Sequence, residues 1–98
     1  MRTLVRITMD TAAGNAAVQN GTLEKLIGST MEALKPEAAY FYAHEGKRTA
    51  SFIIDLKSSA DIPSIAEPWF MGVNGSVTFI PVMNADDLKA GLAKAAGR

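Results

Sequence analysis

The chain has 98 residues, ten basic and ten acidic side chains, and no cysteine. The charges cancel, so there is no long-range field to draw in nucleic acid or an anionic membrane. The missing thiols exclude disulfides, zinc–thiolate sites, iron–sulfur clusters and a cysteine nucleophile, and no other cofactor or metal set is apparent.

Length argues for one domain, residues 1–98, and a 48% hydrophobic content is ordinary for a soluble protein. Such a domain buries roughly 65% of its unfolded surface, a thin core that oligomerisation could supplement. Arg2 and Arg6 interrupt the apolar residues of "MRTLVRITMD", so no signal-peptide core is expected there. No apolar run approaches bilayer length. The expected location is cytoplasmic. The only basic cluster, Lys47 and Arg48, reads as a solvated pair beside a turn.

"TLVRITM" reads as a first strand, because Thr3, Val5, Ile7 and Met9 alternate with Leu4, Arg6 and Thr8. "TAAGNAAVQNG" reads as a helical lead-in broken near Gly21. Leu23, Leu26, Ile27, Thr30, Met31 and Leu34 follow the three-four spacing of a helix face, and Pro36 ends it.

"AAYFYAHEGKRTASFIIDL" reads as a hairpin turning at Glu45-Gly46, with His44 facing Lys47, Tyr42 facing Thr49 and Tyr40 facing Ser51. That register puts Phe41, Phe52, Ile54 and Leu56 on the core face. Tyr40, Tyr42, His44, Ser51, Ile53 and Asp55 fall on the other.

Asp61 resembles an N-cap with Pro63 in the first turn, and Ile62, Ile65, Ala66, Trp69 and Phe70 repeat at helical spacing. Pro68 lies inside that pattern and predicts a kink there or an end just before it. Asn74-Gly75 is a turn, "SVTFIPV" a last strand, and Asn84 the cap of a terminal helix carrying Asp86 and Asp87 in its first turn. The order is an α+β, ferredoxin-like βαββαβ sandwich. It has a four-stranded antiparallel sheet, two helices on one face and an extra C-terminal helix.

Fold alone does not choose a function. RNA-recognition domains share this order but stack bases on aromatics of the two central strands. Here Thr49 and Ser51 occupy those places, and the first strand has no aromatic. Acylphosphatases need an arginine closing the loop after the first strand, and "MDTAAGNAA" has none. Neither nucleic acid nor a membrane is expected as a partner.

"LVRITM", the strand ending "FIIDL", the helix entering "PWFMG" and the closing "VTFIPV" together resemble the dimeric α/β-barrel superfamily, across nearly the whole chain. That superfamily includes small cofactor-free monooxygenases and muconolactone isomerase. "KPEAAYF" and "IAEPWF" are also similar to segments of bacterial proteins of unknown function. The resemblance implies a homodimer joined through the open sheet faces, with a small-molecule cavity between each sheet and its own helices. Haem-degrading members use a first-strand asparagine, absent here, so that activity does not carry over.

Within that reading Trp69, Phe70 and Phe41 are candidates for an apolar cavity wall, although core packing is the more economical role for Trp69. His44, the single histidine, lies beside a turn, where an exposed residue is more usual than a catalyst. Tyr42 offers a hydroxyl for proton transfer. Arg6 could hold a substrate carboxylate or pair across strands with Asp55, and Glu67 is a candidate base without a partner to raise its pKa. The expected function is binding or transformation of a small aromatic or carboxylated molecule. The alternative is a non-catalytic oligomeric module that binds a ligand or a protein.

Overall fold

The computed structural model describes residues 1–97. Strand β1 (Arg2–Thr8) leads into helix α1 (Thr11–Asn20) and, directly after it, helix α2 (Thr22–Leu34). Between them Gly21 adopts φ 80°, a left-handed conformation that separates two helices rather than bending one. Strands β2 (Ala38–His44) and β3 (Lys47–Asp55) form the hairpin, followed by a 3₁₀ turn (Ser59–Asp61) and helix α3 (Ile62–Val73). Strand β4 (Ser76–Pro81) and helix α4 (Ala85–Gly97) complete the described chain.

The sheet order is β2-β3-β1-β4, every neighbouring pair antiparallel. Strand β3 lies between β1 and β2, and β1 lies between β3 and β4, which is the split β–α–β arrangement of a ferredoxin-like sandwich. His44 faces Lys47, Tyr42 faces Thr49 and Tyr40 faces Ser51, as the alternation of the two runs requires. Glu45 and Gly46 both take positive φ, 52° and 77°, the signature of a type I′ turn whose twist suits the strands.

Alternation sorts the sheet into two faces. One row, Thr3, Val5 and Ile7 of β1 with Ala50, Phe52 and Ile54 of β3, is buried beneath the helices. Ile65, Trp69 and Val73 of α3 close over it, with Leu23, Leu26 and Ile27 of α2 half-buried at its margin. Each fully buried Val, Ile or Phe side chain contributes about 1.5–3 kcal/mol, so this row is the main source of stability.

Two local expectations are corrected. Helix α3 does not end before Pro68 but continues through it to Val73. A helix-interior proline costs about 3 kcal/mol, but Trp69 and Val73, both fully buried, lie beyond it and are worth at least as much. Packing therefore outweighs the break. Asp61 makes no side-chain capping bond, because it sits in the helical conformation at the end of the 3₁₀ turn. Ser58 does the capping instead, its Oγ accepting from the Ala60 N–H at 3.1 Å. Asn84 does cap α4: its Oδ1 accepts from the Asp87 N–H at 2.8 Å, and the Asp87 carboxylate accepts from the Asn84 N–H at 3.1 Å.

Candidate functional site

The two sheet faces carry different chemistry. The open face shows Leu4 and Arg6 from β1, Ser51, Ile53 and Asp55 from β3, Tyr40 and Tyr42 from β2, and Thr78 and Ile80 from β4. Tyr40 is 62% exposed and Ile80 36%, so this mixed face presents large apolar side chains to solvent. At its centre Arg6 stands opposite Ser51 and Thr78. The Tyr42 hydroxyl lies 2.6 Å from the Ser51 Oγ. That hydrogen bond, opposed by partial burial and aided by Arg6, pulls the Tyr42 pKa below the usual tyrosine value. The Arg6 Nε is buried and has no hydrogen-bond partner among the described residues.

Asp55 belongs to another group. The register sets it opposite Arg2, and the Met1 ammonium holds it at 2.8 Å. That ammonium, chiefly by its hydrogen bond, draws the Asp55 carboxyl below its ordinary range. Arg2 reaches Glu37 at 2.8 Å and also pairs with Asp87. Arg6 and Asp55 are thus four positions apart on facing strands and are not a pair within the chain.

The sequence-derived candidates fall in separate places. Arg6 and Tyr42 meet on the open face, and His44 stands exposed at the end of that face opposite Lys47. Glu67 and Phe70 are exposed on α3. Trp69 is fully buried in the core: its Nε1–H donates to the Thr30 Oγ1 at 3.1 Å, and its ring is 6.3 Å from that of Phe52. The space between Trp69 and the sheet is filled. Pro68 borders a hollow of about 260 Å³ between α2 and α3, beside Thr30, Leu34 and Ile65.

Phe41 marks the larger opening. It projects on the helix side of β2, edge-on to Phe52 at 5.9 Å, yet remains 51% exposed. The reason is that α2 covers the sheet edge loosely, with no buried residue of its own. A cleft of about 540 Å³ results, walled by Met9, Leu23, Ile27 and Phe41, with Asn15 and Arg48 at one end. Its size is within the range of small-molecule sites.

Arg48 lies on the core-facing row of β3, two residues before Ala50 and four before Phe52. Helix α1 comes so close that a Cβ on the buried Gly14 would stand 3.0 Å from the Arg48 Nη1. Glycine there lets the arginine lie along the helix, where its Nη1 donates to the Asn15 Oδ1 at 3.0 Å. No carboxylate pairs with Arg48 among the described residues. The cleft therefore joins a hydrophobic wall to a guanidinium with donor capacity to spare.

Asn15, Met9, Leu23 and Ile27 carry no sequence signal of a site, and Arg48 beside Lys47 reads as part of a solvated pair. The overlooked signal was parity, since counting back by twos from Phe52 puts Arg48 on the buried row. Among the described residues, no cluster of three or more His, Asp or Glu side chains is placed to hold a metal ion. Among those residues, no helix is long and apolar enough to cross a membrane. Comparison with protein-family models, with curated proteins and with solved structures found no match.

Proposed function

We propose that the protein binds a small molecule with an aromatic-sized apolar body and a carboxylate, held in the cleft between α2 and the β2–β3 hairpin. The observation that carries this reading is the cleft itself, in which Arg48 stands beside Leu23, Ile27 and Phe41 with no acidic partner among the described residues. A carboxylate would take the free guanidinium donors in a charge-assisted, bidentate contact, and the apolar body would cover Phe41. His44 and Glu67 do not border the cleft, so the reading is one of binding, with no proton-transfer step assigned to them.

The same proposal includes a homodimer of the dimeric α/β-barrel kind, joined through the open sheet faces. Its support is that Leu4, Ile53, Tyr40 and Ile80 stand on a face that no described helix covers.

Calorimetric titration with 1-naphthoate and with the matching alcohol, 1-naphthylmethanol, tests the ligand reading. Binding of the acid at least tenfold tighter than the alcohol, with the difference abolished in Arg48→Gln, is the expected result. Equal affinity for the two, or no binding by either, would refute it.

A further inference from the structure

Helix α4 has thirteen residues, and all of them except Asp87 are exposed. Leu88 is 46% exposed and Leu92 60%, one helical turn apart on one side, and Met83 just before the helix is 66% exposed. The chain measures 54 × 28 × 17 Å, a long axis more than twice the roughly 23 Å of a seven-residue strand. A helix that stands out into solvent with a leucine stripe does not serve its own core.

Its base is nevertheless fixed. Asn84 and Asp87 cap each other's backbone, Asp87 pairs with Arg2, and the Val82 N–H donates to the Arg2 carbonyl at 3.1 Å. Arg2 shares the side of β1 that carries Leu4 and Arg6, so α4 leaves the molecule at a corner of the open sheet face.

We infer that α4 is an arm exchanged between two copies of this chain, its Leu88–Leu92 stripe laid on the second copy at the margin of the joined sheet faces. This rests on the dimer reading above. Area separates a face-only dimer from an armed one. Four strands about 4.8 Å apart and about 23 Å long offer roughly 440 Å² of flat sheet, whereas a stable interface uses about 800 Å² per partner. In flat projection the sheet face is thus a small contact, which the arms enlarge. A helix about 20 Å long and 10 Å wide adds roughly 200 Å² from each copy, and side-chain relief enlarges both figures. Asp86, exposed in the first turn of α4, has no ion pair among the described residues and stands free at the same corner as Arg2.

Sedimentation velocity on the full chain between 0.1 and 100 µM (about the range of ordinary dimers) tests the arm. The wild type should be a dimer, and Leu88→Ser with Leu92→Ser should weaken dimerisation about 100-fold. Ala90→Ser with Lys94→Ser on the opposite side of α4, similar in helix propensity cost, should leave it unchanged. A dimer indifferent to loss of the leucines would overturn the arm while leaving the face-to-face dimer standing. A monomeric wild type would overturn both, and equal loss in the opposite-side variant would refute the leucine stripe as the contact.

Discussion

Replacing Trp69 by phenylalanine measures what the filled space beneath α3 is worth. The indole is fully buried, donates to Thr30 and packs against Phe52. The smaller ring gives up on the order of 50 Å² of buried apolar surface, about 1.2 kcal/mol at 25 cal/mol/Å². The lost hydrogen bond adds about 1 kcal/mol, and incomplete collapse of the site adds a cavity term. A total of about 2–3 kcal/mol is expected, a large share of the 5–15 kcal/mol that stabilises a typical domain. Thr30→Val should cost about 1–3 kcal/mol by leaving the indole N–H buried without a partner. In the Trp69→Phe background it should cost almost nothing, because the donor is already gone. Urea unfolding followed by circular dichroism at 222 nm gives these values, with an unchanged m-value confirming that stability alone has moved. If Trp69→Phe costs under 0.5 kcal/mol, or if the two substitutions add, the tryptophan is not the hydrogen-bonded keystone of this core.

Three further outcomes follow from single contacts. Glu45→Asn should raise stability by up to about 1 kcal/mol, since asparagine tolerates the left-handed φ of 52° better than glutamate, as denaturant midpoints will show. Ser51→Ala should raise the Tyr42 pKa toward the ordinary tyrosine value of about 10, because the Ser51 hydrogen bond is the main cause of its depression. An upward step in the ultraviolet tyrosinate titration is the readout, and no movement would show that Arg6 governs it instead. Gly14→Ala should add up to about 1 kcal/mol of helix propensity while crowding the Arg48 Nη1, which stands 3.0 Å from the new Cβ. Stability should therefore rise while affinity for 1-naphthoate falls severalfold.

The hairpin was the most legible part of the chain, because two long alternating runs meet at a turn that admits one register. Glu45-Gly46 fixed both faces of β2 and β3 together. The continuation of α3 past Pro68, where the ring predicts a kink or an end, is harder to read for the opposite reason. A local rule about ring geometry says nothing of Trp69 and Val73, whose burial carries the helix past the proline. The cleft was hidden because it arises from looseness. Leu23 and Ile27 have ordinary core spacing, and only the assembled structure shows α2 covering the sheet edge incompletely. Arg48 was legible in principle, but its neighbour Lys47 made the pair look like surface charge. The freedom of α4 could not be read from Leu88 and Leu92, since such a stripe commonly packs on its own domain.

The central claim is that the Phe41–Arg48 cleft is the ligand site, and intermolecular nuclear Overhauser effects on the isotope-labelled chain with bound 1-naphthoate test it most directly. Contacts should run from the naphthyl protons to the side chains of Phe41, Ile27 and Leu23, with the Arg48 side-chain resonances shifting as the acid is added. Contacts confined to the open face around Tyr40 and Ile80, or none at all at saturating ligand, would contradict it.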